Sequence, residues 1–312
     1  MNTRAQIRRL EDGRRVHMQD GPIDLIVEAF GEPGEVDRAY RAAAGRFVSV
    51  LDELCGELTF LRQATRPESA TPDGSVARRM MEAVRPHAAR HFITPMAAVA
   101  GAVAEEILDA MISTSQLARA YVNDGGDIAL HLTPGENFVV GMMEYPEPDS
   151  KHPQHSEHPM PGTTTITLDY PVRGVATSGW RGRSFSLGVA DAVTVLAETA
   201  PMADAAATII GNAVDLPGHP AIVRARACDL APDSDLGDRM VTQAVAPLLL
   251  DEIQRALDAG IHEAECLRSL GLIRAAALTL QGEMRIVDGA TSLFFKPNGV
   301  EAFSNSRSLV HA

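Results

Sequence analysis

Along this 312-residue chain the hydrophobic periodicity comes in blocks. Period-two runs are grouped together, helical runs are grouped together, and the order strands, helices, strands is passed through twice. Parallel strands need a crossover of a dozen or more residues between each pair, so strands that follow one another directly must pair antiparallel. The chain is therefore expected to be α+β rather than a doubly wound βαβ fold. In the first pass, 4–11, 14–18 and 22–30 read as strands, with Asp12-Gly13 and Asp20-Gly21 as turns. A helix follows from Glu35 to about Arg66, marked by Tyr40, Phe47, Val50, Leu51, Leu54, Leu58 and Leu61. After a loop at 67–74, helices are predicted at 75–90 and, Ala-rich, at 96–114; strands follow at 119–132 and 137–145. The segment 146–162, PEPDSKHPQHSEHPMPG, carries five prolines and three histidines and reads as a linker. The pattern then restarts, with strands at 163–170, 172–178 and 190–197, helices at 200–213 and 237–270, and a hairpin at 272–288 turning near Gln281-Gly282. The expected organisation is a first half at 1–145, the linker, and a second half at 163–312, joined as one compact unit.

Charge and composition narrow the function classes. With 45% hydrophobic residues the chain can bury a sizeable core. The formal net charge of −13 opposes nucleic acid, and a small anionic molecule as partner would need a local basic pocket to overcome the overall field. Only Lys151 and Lys296 are lysines; the other basic residues are arginines, which suit bidentate contacts to phosphate or carboxylate, though a biased genome composition explains most of them as well. Cys55, Cys228 and Cys266 are too scattered for a disulfide framework or a zinc knuckle. The first residues lack the apolar run of a signal peptide, and the longest apolar stretch, Met96 to Val103, runs into Glu105 and Glu106. No membrane association is expected, and the reading is of a soluble, cytoplasmic protein.

Three stretches have the chemistry of a binding site. In VRGVATSGWRGR, 172–183, an apolar strand ends in Thr177-Ser178-Gly179, followed by Arg181 and Arg183. Small residues let backbone N–H groups approach a ligand, hydroxyls add donors, and arginines neutralise an anion. The stretch is equally readable as a plain turn with solvated arginines. In ETAPMADAAATIIGNAV, 198–214, Thr199 caps a helix with Pro201 in its first turn. Asp204 and Thr208 are four apart and share a face, offering the hard oxygens that Mg²⁺ accepts. Against this, an Asp near a helix start is stabilising without any metal. In YVNDGGDIALHL, 121–132, Asn123, Gly125, Gly126 and Asp127 form a hairpin turn that also offers polar groups to a sugar or base edge. His152, His155 and His158 in the linker, and His87 and His91 four apart on a helix, read as structural or solvated. The chain has no GxSxG elbow, no GxxxxGK[ST] loop and no GxGxxG turn after a strand.

The order of Asn123-Asp124-Gly125-Gly126-Asp127, Ala176-Thr177-Ser178-Gly179, Val193-Thr194-Val195 and Ala203-Asp204-Ala205-Ala206-Ala207-Thr208 resembles the core of the ApbE family of Mg²⁺-dependent FAD:protein FMN transferases. The long run TSGWRGRSFSLGVADAVTVLAETAPMADAAAT is similar to an ApbE-like sister family. The resemblance covers roughly residues 95–215. It implies a duplicated T-fold, antiparallel sheets covered by helix pairs. It also implies Mg²⁺ at Asp204 and Thr208, with a backbone carbonyl from around Ala97 to Ala100, and FAD or FMN against the GGD and TSG turns. The transferases carry a His-bearing segment after the TSG. Here the 13 residues between Gly179 and Val193, WRGRSFSLGVADA, contain no His. Two expectations follow: an enzyme cleaving or transferring at a phosphate with Mg²⁺, or a non-catalytic ligand-binding or accessory protein on the same fold. T-fold-like sheet edges also imply a homo-oligomer.

Overall fold

The computed structural model describes residues 4–141, 163–289 and 309–311. The chain opens with β1 (Gln6–Arg9), β2 (Val16–Asp20) and β3 (Ile23–Phe30). The helical block comprises α1 (Pro33–Gly56), α2 (Leu58–Leu61), α3 (Ser75–Val84) and α4 (Val99–Ile112), with a 3₁₀ turn at Pro95–Ala98 leading into α4. Then come β4 (Arg119–Asp124), β5 (Asp127–Leu132) and β6 (Asn137–Gly141). The second pass contains β7 (Thr163–Thr167), β8 (Gly174–Ser178), β9 (Ala192–Ala197) and α5 (Ala200–Ala213). It continues with β10 (Ile222–Arg226), α6 (Ala227–Leu230), β11 (Met240–Val245), α7 (Leu250–Ser269), β12 (Ala275–Leu280), β13 (Glu283–Val287) and β14 (Leu309–His311).

Nine strands form one sheet in the order β1-β2-β3-β4-β5-β8-β9-β12-β13, every neighbouring pair antiparallel. Within it, β2-β3-β4-β5 and β8-β9-β12-β13 are two runs of four, each with its helices inserted between the second and third strands. The runs meet at β5 and β8, where Ile128 faces Val175 and Ala129 faces Gly174. The expected antiparallel α+β architecture is what forms.

Alternation sorts the strand side chains. Val122, Ala129, Ala176, Val193 and Val195 join the core under the helices, while Tyr121, Ile128, Leu130, Val175 and Leu196 form a second core on the opposite face. β6, β7 and β14 make a small separate sheet, and Phe138, Val140 and Ile166 from it enter that second core. With both faces covered, β9 is buried at every position. The helical layer is closest where α4 and α5 cross. A β-carbon on Gly101 would lie 2.5 Å from the carbonyl oxygen of Ala200, so only glycine permits the approach.

Several boundaries differ from the sequence reading. The helix expected at 237–270 starts only at Leu250; 240–245 is β11, paired with an unforeseen β10. Pro247 separates strand from helix, and Val241, Thr242 and Val245 suit a pleated ladder better than a helix interior. The helix expected through Arg66 breaks at Glu57, and that expected at 75–90 gives way after Val84 to a 3₁₀ turn containing Pro86. The 146–162 linker and its three histidines lie outside the described residues. Among the described residues no helix is long and apolar enough to cross a membrane.

Candidate functional site at the junction of the two strand runs

β4 and β5 are joined by the two-residue turn Gly125-Gly126, with φ of +64° and +118°. This is the positive-φ conformation that tight hairpins require and glycine adopts freely. The Gly126 N–H donates to Asn123 Oδ1 at 2.8 Å, tying Asn123 to its own turn. Asp124 and Asp127 are direct cross-strand partners, so their side chains share a face. Because Val122 and Ala129 lie under the helices, Asp124 and Asp127 face the helical layer too.

The neighbouring β8 brings the TSG turn to the same place. The Thr177 N–H donates to Asp127 Oδ1 at 3.2 Å. The Thr177 side chain points to the opposite face, where its hydroxyl meets that of Thr194 at 2.9 Å. Ser178, one residue on, faces the helices, and its Oγ lies 3.9 Å from where a β-carbon on Gly211 of α5 would stand. Gly179 is packed so that a β-carbon would lie 2.2 Å from the Asp191 carbonyl oxygen.

Above this strand end lies α5, capped as expected by Thr199, whose Oγ1 accepts from the Met202 N–H at 3.4 Å. Asp204 Oδ2 accepts from the Gly101 N–H in the first turn of α4 at 3.0 Å. Reciprocally, Glu105 of α4 accepts from the Ala200 N–H at the start of α5 at 3.1 Å. Each helix thus has an N-terminal N–H satisfied by a carboxylate from the other. Thr208 follows Asp204 by one turn on the same partly buried stripe.

Three carboxyls are therefore gathered in a desolvated space. Burial pushes Asp124 up to about 7, opposed by the guanidinium of Arg183 at 3.9 Å. Burial raises Asp127 well above the usual range, and the charges of Asp204 and Asp124 add to it. Asp204 is raised by burial as well, opposed by the Gly101 N–H. Asp127 and Asp204 are half-buried residues, and the desolvation that the surrounding protein imposes is the main cause of both shifts. Such a group is neutralised either by protons or by a cation. Among the described residues no three His, Cys, Asp or Glu side chains are arranged to hold a metal ion by themselves. A bound cation would have to complete its shell with a hydroxyl, backbone oxygen, water or ligand phosphate, as Mg²⁺ does.

The two arginines of WRGR separate. Arg183 is 65% exposed at the side chain and reaches over the hairpin: a β-carbon on Gly125 would lie 1.7 Å from its Nη2. This contact brings the GGD turn and the TSGWRGR segment into one rim. Arg181 turns away, donating from Nε to Asp191 Oδ1 at 2.7 Å and lying 5.1 Å from the Trp180 ring centre. Asp191 also accepts from Trp180 Nε1 at 3.1 Å and, through Oδ2, from the Gln281 N–H at 2.5 Å. Asp124 lies within the NDGGD motif but carries no expected role in the sequence, and Asp191 lies outside every expected site residue. The hairpin register was a usable signal for the first, since Asp124 must share the face of Asp127; the second had none.

A match over most of its length places the chain with this antiparallel sheet, crossed Ala-rich helices and acid-lined junction in the ApbE-like class. Residues 7–286 match the family described as "AbpE bacteria", and the chain belongs to that bacterial ApbE-like family. Among its relatives is a UPF0280 protein of Methanopyrus kandleri, 38% identical over 138 residues, covering 44% of this chain and 48% of the relative. One from Methanothrix thermoacetophila is 37% identical over 129 residues, covering 41% and 49%. Another, from Methanocella arvoryzae, is 36% identical over 198 residues, covering 62% and 70%. The chain spans about half the length of the first two of these relatives.

Proposed function

We propose that the junction site binds a small phosphorylated anion of the flavin or nucleotide class together with Mg²⁺. The carrying observation is the gathering of Asp124, Asp127 and Asp204 in a desolvated space with one guanidinium, Arg183, at its rim. The enclosed carboxyls favour a cation, and the exposed arginine favours an anion that reaches that cation. Asp204 and Thr208 would hold Mg²⁺, whose chemistry when bound is Lewis-acid neutralisation of phosphate oxygens. Their donor set fits a hard cation: a desolvated carboxyl and a hydroxyl one helical turn apart. Ser178 and the Gly125-Gly126 backbone would meet the ligand, with Arg183 closing over it. The two runs of four strands support reading the chain as two T-fold-like halves, with the site between them.

A second reading, a binding or accessory protein without turnover, rests on a separate observation. The segment after the TSG carries no His, and its Arg181 is already engaged by Asp191. The test is mass spectrometry of gently purified protein, followed by incubation with FAD and Mg²⁺. A co-purifying flavin or nucleotide, with FAD cut to FMN and AMP, favours the enzyme. The same ligand without turnover favours the binding protein. No bound anion and no FAD binding refutes both.

A further inference from the structure

Between Gly179 and β9 the chain runs through residues 180–191 without regular structure, yet it carries Arg183 to the hairpin turn. An irregular stretch containing Gly182 and Gly188 has much conformational freedom to lose, so something must fix it. One end is fixed by Asp191, which holds Trp180 and Arg181. The other end is fixed by the last turn of α5 and by β10 and β11, two strands the motifs do not include. The Thr242 N–H of β11 donates to the Ser186 carbonyl at 2.9 Å, and the Thr242 hydroxyl donates to the Gly188 carbonyl at 2.7 Å. Asn212, in the last turn of α5, accepts from the Leu187 N–H at 2.9 Å. Arg224 of β10 donates to the Leu187 carbonyl and is itself held by Asp215. Gly188 lies so close to α5 that a β-carbon would stand 2.0 Å from the Gly211 carbonyl oxygen. Ser186, Gly188 and Thr242 are buried, while Arg183, Ser184 and Phe185 between the two anchors are exposed.

We propose that the β10–β11 hairpin is a positioning element for the anion site, with Thr242 as its principal positioning residue and Arg224 as its second. A two-stranded hairpin on its own is marginal. Docked on 186–188, it shortens the free part of the loop to the four residues 182–185, which include Arg183. That restriction sets how well Arg183 is pre-organised over Gly125, and hence the affinity for a phosphorylated ligand. This step rests on the anion-site reading above.

The chain holds one tryptophan, Trp180, within this loop, so its fluorescence reports the loop with no ligand present. Thr242→Val keeps the shape and removes the hydroxyl; Thr242→Ser restores it. Arg224→Ala opens the same anchor from β10, should Thr242→Val fold poorly. We expect acrylamide quenching of Trp180 to rise about two-fold in Thr242→Val and Arg224→Ala and to return to the wild-type level in Thr242→Ser. With FAD and Mg²⁺ as the probe, calorimetry should show about ten-fold weaker binding in the first two variants and recovery in the third. Unchanged quenching, or raised quenching with unchanged FAD affinity, overturns the proposal. If the wild-type protein binds no FAD, the anion-site reading fails, and the hairpin's role as loop anchor stands or falls on Trp180 quenching alone.

Discussion

Gly101→Ala tests the crossing of α4 and α5 with a single methyl group. The added carbon would lie 2.5 Å from the Ala200 carbonyl oxygen, 2.6 Å from its carbon and 2.8 Å from Pro201 N, all backbone atoms. No side chain can rotate to relieve this, so the helices must part by about 1 Å to reach ordinary contact distance. The same shift stretches the two cross-helix hydrogen bonds, Gly101 N–H to Asp204 and Ala200 N–H to Glu105, from 3.0 and 3.1 Å towards breaking. Hydrogen bonds to charged groups contribute about 1.5–3 kcal/mol each. Overpacking adds about 1–3 kcal/mol. The better helix propensity of Ala returns about 1 kcal/mol. The net expectation is a loss of about 3–8 kcal/mol, a large part of a typical domain's stability. Urea unfolding followed by circular dichroism measures it as a fall in midpoint at constant slope. Gly45→Ala in α1 is the control: nothing stands within 4 Å of its added carbon, so the propensity gain, up to about 1 kcal/mol, should appear alone. A Gly101→Ala protein within about 1 kcal/mol of wild type would refute the close crossing and the cross-capping together.

Asp124→Asn should change the pH dependence of stability. The folded-state value of about 7 lies above the ordinary aspartate value, so the folded protein binds that proton more tightly than the unfolded chain. Stability from this group is present at acid pH and is lost as pH rises from about 4 to about 7, by up to about 4 kcal/mol at ~1.4 kcal/mol per unit. In Tm measurements the variant should therefore gain on wild type from pH 5 to pH 8 in metal-free buffer; a pH-independent difference contradicts the burial of this carboxyl. Asp191→Ala removes the acceptor shared by Trp180, Arg181 and Gln281, and is expected to destabilise by about 1–3 kcal/mol and shift Trp180 emission to the red. Unshifted emission would mean that the ring is held by packing alone.

The architecture was legible because strand blocks and helix blocks differ in period and because Asp-Gly and Gly-Gly turns mark the hairpins. The cap at Thr199, with Pro201 behind it, fixed the start of α5 and so the face shared by Asp204 and Thr208. The β10–β11 hairpin was not legible. Its strands have little core of their own, and β11 holds its place through Thr242 contacts with residues 186–188, far away in sequence. Within the site, the sequence placed Thr177 and Ser178 side by side without saying which faces the helices. That depends on the register between β8 and β9, which puts Thr177 against Thr194 and leaves Ser178 below α5. Arg181 and Arg183 looked alike for the same reason: the partner of the first, Asp191, is set by how the loop folds back on itself.

The most direct measurement of the proposed function is calorimetric titration of FAD into the wild-type protein and Asp204→Ala, each with and without Mg²⁺. Binding by the wild type is expected to be strengthened at least ten-fold by Mg²⁺, and Asp204→Ala to stay folded while the Mg²⁺ effect disappears. Mg²⁺-independent binding, or an Asp204→Ala protein that responds to Mg²⁺ like wild type, would contradict the proposed function.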